Sequence, residues 1–160
     1  MSLENALAAF EERQALLEQL EREVDPSHYV YVVREELERT DVARAEYLRA
    51  RRRIDDGLDA TALRQYQRLV QRNQRSKFRN RHLLDLGDLY VDLSRDYARR
   101  VPPASLRFDT VVFDEYAFGA TRLFEAVSQQ DGALEKIEAS RKLEAFLAFT
   151  LQVHEEHFPH

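Results

Sequence analysis

HYVYVVREELER, residues 28–39, can be read two ways, and the choice decides the fold. Taken alone, HYVYVV has the β-branched and aromatic residues of a strand. Yet Val30, Val33 and Leu37 recur at helical spacing, and REELER follows without any turn residue between. The stretch therefore reads as helix. Just upstream, Asp25-Pro26 supplies a stop and a start, with Asp as cap and Pro at the first helical position.

The same period appears on both sides of this stretch. Leu3, Leu7, Phe10, Leu17, Leu20 and Val24 form one helical stripe behind Ser2 as N-cap. The other side of that helix is acidic, since residues 3–25 hold seven acids and two arginines. Downstream, Ala43, Tyr47, Ala50 and Ile54 are expected to point inward on a helix that continues directly or restarts at Thr40-Asp41. It would end near Asp56-Gly57, with Asp59 capping a new helix and Leu58 stapled to Leu63. Phe113, Tyr116, Ala120, Phe124 and Val127 make another stripe. After a turn at Asp131-Gly132, Leu134, Ile137, Phe146, Leu147 and Leu151 make the last.

Composition points the same way. Gly and Pro number four each in 160 residues, so turns are few and elements long, which favours helices over a many-turned β fold. A charged fraction of 33% suits amphipathic helices with wet outer faces. The expectation is an all-α, single-domain bundle of six or seven helices over residues 1–160, with a helix break near 73–76 and a linker at 101–106 that contains VPPAS (101–105). No internal repeat is evident.

The absence of cysteine removes disulfides, thiolate metal sites and cysteine nucleophiles. MSLENALAAFEERQ has acids where a signal peptide needs cations, and no apolar run approaches a membrane span. A cytoplasmic location without membrane association is the resulting expectation.

The charge pattern is the most unusual feature. Residues 60–84 contain no acid and seven cations, whereas the rest of the chain carries a formal −12. Arg64, Arg68, Arg72, Arg75 and Arg79 fall on one helix face, with Leu63, Tyr66 and Val70 nearly opposite and directed inward. Phe78, His82, Leu86, Leu89 and Leu93 form the next apolar stripe, out of phase with the first, hence the break with Ser76 as a fresh cap. Lys77 and Arg81 fall on the other side of that junction.

Arg64, Arg68, Arg72, Arg75, Lys77, Phe78, Arg79 and Arg81 are therefore the candidate partner-binding residues. Arginine beside Tyr66 and Phe78 matches the residue types that anchor protein interfaces, a homodimer included. The same groups could grip phosphates and stack on bases, although a pI of 5.6 falls short of a nucleic-acid footprint. A plain solvated face is the third reading.

Other motifs carry less. Asp85, Asp88, Asp92 and Asp96 stack turn by turn behind His82, as metal ligands would. Their place beside the apolar face suits salt bridges better, with basic side chains as nearest charges. A di-metal bundle would need paired Glu-x-x-His motifs, which the sequence lacks. His154 and His157 in HEEHFPH (154–160) sit one turn apart, but in a chain-terminal segment interrupted by Pro159. Four scattered glycines build no phosphate loop, and no nucleophile motif stands out. The chain reads as a non-enzymatic interaction or adaptor protein with neither metal nor cofactor. A nucleic-acid-associated protein and a metal-dependent helical enzyme are the alternatives.

Overall fold

Ser2 opens the first helix as the sequence suggests, its Oγ accepting a hydrogen bond from the Asn5 amide at 3.2 Å. A computed structural model describes residues 2–158, and six helices follow with no strand among them. They are α1 (Leu3–Val24), α2 (Tyr29–Arg51), α3 (Asp59–Arg72), α4 (Arg79–Arg100), α5 (Thr110–Ser128) and α6 (Lys136–His157). Residues 29–33, strand-like in composition, are helical: Val30 and Val33 are buried while Tyr29, Tyr31 and Val32 face water. An alternating strand would have put Val30 and Val32 on one face. The fold is all-α.

Contacts divide the chain into two compact units, one ending at Asn73 and the other beginning at Gln74. In the first unit α2 packs against both α1 and α3. Its core is built from Ala6, Val30, Val33, Ala45, Leu48, Leu58, Ala62, Tyr66 and Leu69. Helix α2 runs straight through Thr40 and Asp41, both buried. Thr40 is satisfied within the helix, its Oγ1 donating to the Glu36 carbonyl at 2.8 Å and accepting from Arg13 Nε at 3.1 Å.

Several boundaries and faces differ from expectation. Asp25 closes α1 by its own amide, which donates to the Glu21 carbonyl, and α2 starts only at Tyr29. The Asp25-Pro26 peptide bond is cis. Helix α2 ends at Arg51, so Asp56-Gly57 is not its cap; those residues form a short 3-10 turn, Asp56–Leu58. Asp59 is the first residue of α3 rather than its cap, and it accepts from the buried Arg52 Nε at 2.8 Å. The inward face of α2 is Asp41, Ala45, Leu48 and Arg52, nearly opposite the expected Ala43, Tyr47, Ala50 and Ile54. Ala43 and Ala50 are exposed and Ile54 is 81% exposed. Paired polar groups sit inside and the alanine stripe outside, which hydropathy alone inverts. On α3 the buried face is Ala62, Tyr66 and Leu69, leaving Leu63 and Val70 half-buried.

The second unit is built around α5, which packs on α4 and on α6. Phe113, Ala117, Ala120, Phe124 and Val127 are its buried row, with Tyr116 at the margin. Two glycines allow α4 and α5 to approach closely. A Cβ on Gly87 would stand 2.5 Å from the Phe124 ring, and one on Gly119 would stand 2.7 Å from the Tyr90 ring. Between these helices, Tyr97 Oη accepts from the Asp109 amide at 2.8 Å, and Asp109 then caps α5. Helix α6 buries Ala139, Phe146 and Val153, a strict seven-residue row. Ile137, Leu147 and Leu151, expected inside, are exposed because that row turns them away, and Leu134, also expected inside, is exposed in the turn before the helix.

Candidate interaction surfaces

The basic stretch is shared between the units. Arg64, Arg68 and Arg72 recur turn by turn along α3, and all three are exposed. Buried Ala62, Tyr66 and Leu69 hold the opposite side on α2, which fixes the arginine row outward. Arg64 and Arg68 take part in no salt bridge among the described residues.

Arg72 behaves differently. Its Nη1 stands 3.9 Å from Asp41 Oδ2, and the Asp41 side chain is only 9% exposed. Burial holds the Asp41 carboxyl above the ordinary carboxylate range, against the opposing pull of Arg72, Arg68 and Arg44. Asp41 borders a polar cavity of about 400 Å³ with Glu18, Glu21, Glu38, Arg34 and Arg72. Arg34 is already engaged there, its Nε donating to Glu21 at 3.1 Å. Part of the arginine row therefore balances an internal acid.

Arg75, Lys77 and Phe78 lie in the exposed segment between α3 and α4. Ser76 does not begin α4; its Oγ accepts from the Phe78 amide at 3.0 Å, and the helix opens at Arg79. Phe78, expected on the apolar stripe with His82 and Leu86, is 49% exposed, with the Lys77 ammonium 5.2 Å from its ring centre. Arg79 is half-buried. Arg81 is engaged within the second unit, with two hydrogen bonds to Glu138 at 3.1 and 2.7 Å. That hydrogen bonding holds the Glu138 carboxyl below its ordinary range.

The aspartate stripe of α4 also finds cations. Lys142 Nζ bridges both carboxylate oxygens of Asp88, at 2.8 and 2.9 Å. Asp85 lies close enough to Arg81 to add to the field that stabilises its charge. Asp96 pairs with Arg99 one turn later. No group of three His, Asp or Glu side chains arranged to hold a metal occurs among the described residues. The two terminal histidines have separate neighbours: His154 faces Asp114 at 3.5 Å, and His157 Nδ1 meets the Pro103 carbonyl at 2.8 Å. Pro159 and His160 of that segment lie outside the described residues.

Asp41 is the residue that sequence reading missed. Thr40-Asp41 looks like a helix start, because Asp is a common cap and a poor interior residue. Its one available signal was the spacing to Arg44, a turn along the same helix, with Arg72 far away in sequence. The described helices include none long and apolar enough to cross a membrane. No protein-family model, no curated protein and no solved structure matches this chain.

Proposed function

We propose that this chain is a non-enzymatic protein-interaction module that presents the arginine row of α3 to an acidic partner surface. The observation that carries the reading is the exposure of Arg64 and Arg68, one turn apart on a face fixed by burial of the opposite side, with no salt bridge among the described residues. Guanidinium forks held this way suit carboxylates, which they grip in pairs. Arg75, Lys77 and Phe78 extend the same chemistry along the chain, whereas Arg72 and Arg81 contribute less because acids within their own units already engage them.

The test is affinity capture from the source cell with wild type and with the Arg64→Glu/Arg68→Glu variant, each with and without nuclease. Partners retained after nuclease and lost with the variant support the reading. Partners lost with nuclease alone point to nucleic acid, and partners indifferent to both changes return the row to a solvated face.

A further inference from the structure

Helices α5 and α6 leave an apolar stripe in water on one side of the second unit. On α5, Gly119 lies against Tyr90 of α4, while Asp114 reaches His154 of α6 at 3.5 Å. Val111 and Phe118 stand one turn either side of Asp114, and both are exposed, Phe118 by 68%. On α6, Glu138 and Lys142 reach Arg81 and Asp88 of α4. Leu147 and Leu151 lie on the other side, two turns and one turn before His154, and both are exposed. The two stripes therefore share the face of the α5/α6 pair that is turned from α4. Contiguous apolar surface of this kind is a feature of interaction sites.

The register of the two helices selects the occupant. The Phe113 ring lies 6.0 Å from that of Phe149 and 6.3 Å from that of His154, so α5 and α6 run antiparallel with Phe113 and Asp114 level with residues 149–154. Each step forward on α5 is a step back on α6. Phe118 then falls level with Leu147, and Arg122 with Glu144. Arg122 and Glu144 are exposed, and neither takes part in a salt bridge among the described residues.

A two-fold axis parallel to the helices keeps every level and lays α5 of one copy on α6 of the other. Phe118 then packs on Leu147 of the second copy, and Arg122 meets its Glu144. The exposed acids Glu115 and Glu125 fall level with Thr150 and Ser140, so neither meets another acid. An occupant of a single sign would suit Arg122 or the glutamates, but not both. Size agrees: at ~1.5 Å per residue α5 is roughly 28 Å long, and two helices side by side are roughly 20 Å wide. That face, on the order of 560 Å² in projection, approaches the roughly 800 Å² per partner of a standard interface once side-chain relief is counted.

We propose that the α5/α6 face binds a second copy of this chain, forming a two-fold dimer with Phe118 on Leu147 and Arg122 on Glu144 across the interface. The surface uses none of the α3 arginines and is independent of their reading.

Sedimentation equilibrium on the full chain tests it. Wild type should sediment at twice the 18.8 kDa of one chain. Phe118→Ser should weaken the dimer about a hundredfold, because the change acts at two symmetric positions. Arg122→Glu and Glu144→Arg should each weaken it about tenfold, since each sets like charges together twice. An equal mixture of those two variants should recover the dimer, because only the mixed pair brings opposite charges together at both positions. All three residues are exposed, so circular dichroism should show an unchanged helical fold. A monomer at every concentration would overturn the proposal and leave the face to another protein or to water. A dimer indifferent to Phe118→Ser, or a mixture no tighter than its components, would overturn it as well.

Discussion

Replacing Arg72 by Ala should destabilise the protein, although Arg72 is an exposed arginine. The reason is Asp41, buried 3.9 Å from the Arg72 guanidinium. Two unit charges at that distance attract by about 4 kcal/mol at an effective dielectric of 20. The Arg72 side chain is 42% exposed, and solvent screening reduces the net to about 1–2 kcal/mol. Arg72→Ala should therefore cost about 1–2 kcal/mol at pH 7, and Arg72→Glu more, with Asp41 able to limit the loss by taking up a proton. In an Asp41→Asn background the cost of Arg72→Ala should shrink to about 0.5 kcal/mol or less, which a double-mutant cycle in urea would resolve. The pH dependence has a definite sign. Burial raises the Asp41 carboxyl above its unfolded value, so the folded state holds the proton more tightly. The charged form then costs stability, and that cost appears as pH rises from the ordinary carboxylate range through the folded value. Asp41→Asn should remove this fall and leave the protein at least as stable at pH 7. Additive effects of Arg72→Ala and Asp41→Asn would refute the coupling.

Arg64→Glu should shift stability by only about 0.5 kcal/mol, measured by the same urea titration, since it takes part in no salt bridge among the described residues, whereas Arg68→Glu should cost more because the Arg68 charge acts on buried Asp41. Gly87→Ala should destabilise by about 1–2 kcal/mol: a Cβ 2.5 Å from the buried Phe124 ring overpacks the site by more than the ~1 kcal/mol gain in helix propensity. Gly119→Ala should cost less, because the half-exposed Tyr90 ring has room to swing aside, and the ordering of the two denaturation midpoints checks this. Glu138→Gln should cost at most about 1 kcal/mol at pH 7, the pair with Arg81 being part-exposed. Because hydrogen bonding lowers the Glu138 carboxyl, its contribution is present above the unfolded value and lost as pH falls through the folded one, so the Gln variant should differ least from wild type in acid.

The helical class was legible because it rests on many residues at once. Val30, Val33 and Leu37 set a period that no single substitution hides, and few glycines or prolines interrupt it. Which face of each helix turns inward was less legible. On α5 four of the five expected positions agree, Ala117 taking the place of Tyr116, since Phe113 and Phe124 outweigh any rival stripe. On α2 the contest is between alanines on one face and Thr40, Asp41 and Arg52 on the other, and hydropathy favours the alanines. Side chains of Arg13, Arg72 and Asp59 decide otherwise by satisfying those polar groups from neighbouring elements. Pairing between residues so far apart leaves no trace in a local period. The helix starts at Tyr29 and Arg79 were missed for a related reason: the turn at residues 26–28 closes through backbone hydrogen bonds, and at 76–78 Ser76 Oγ accepts from the Phe78 amide without capping the helix.

The inverted face of α2 bears directly on stability. Had Ala43, Tyr47, Ala50 and Ile54 been the buried row, α2 would have packed by apolar contact alone. Burying Asp41 and Arg52 instead uses polar groups that need matched neighbours and contribute little net stability, a poor choice if packing were the only demand. It does, however, leave Ala43, Ala50 and Ile54 on the outside. Exchanging the buried polar cluster for apolar residues of similar volume would then tend to stabilise the first unit, whereas Leu16→Ser, at an exposed position of α1, would leave stability nearly unchanged. If Leu16→Ser instead lowered stability by the 2 kcal/mol or more that is roughly typical of truncating a buried leucine, Leu16 would belong to the core of the first unit.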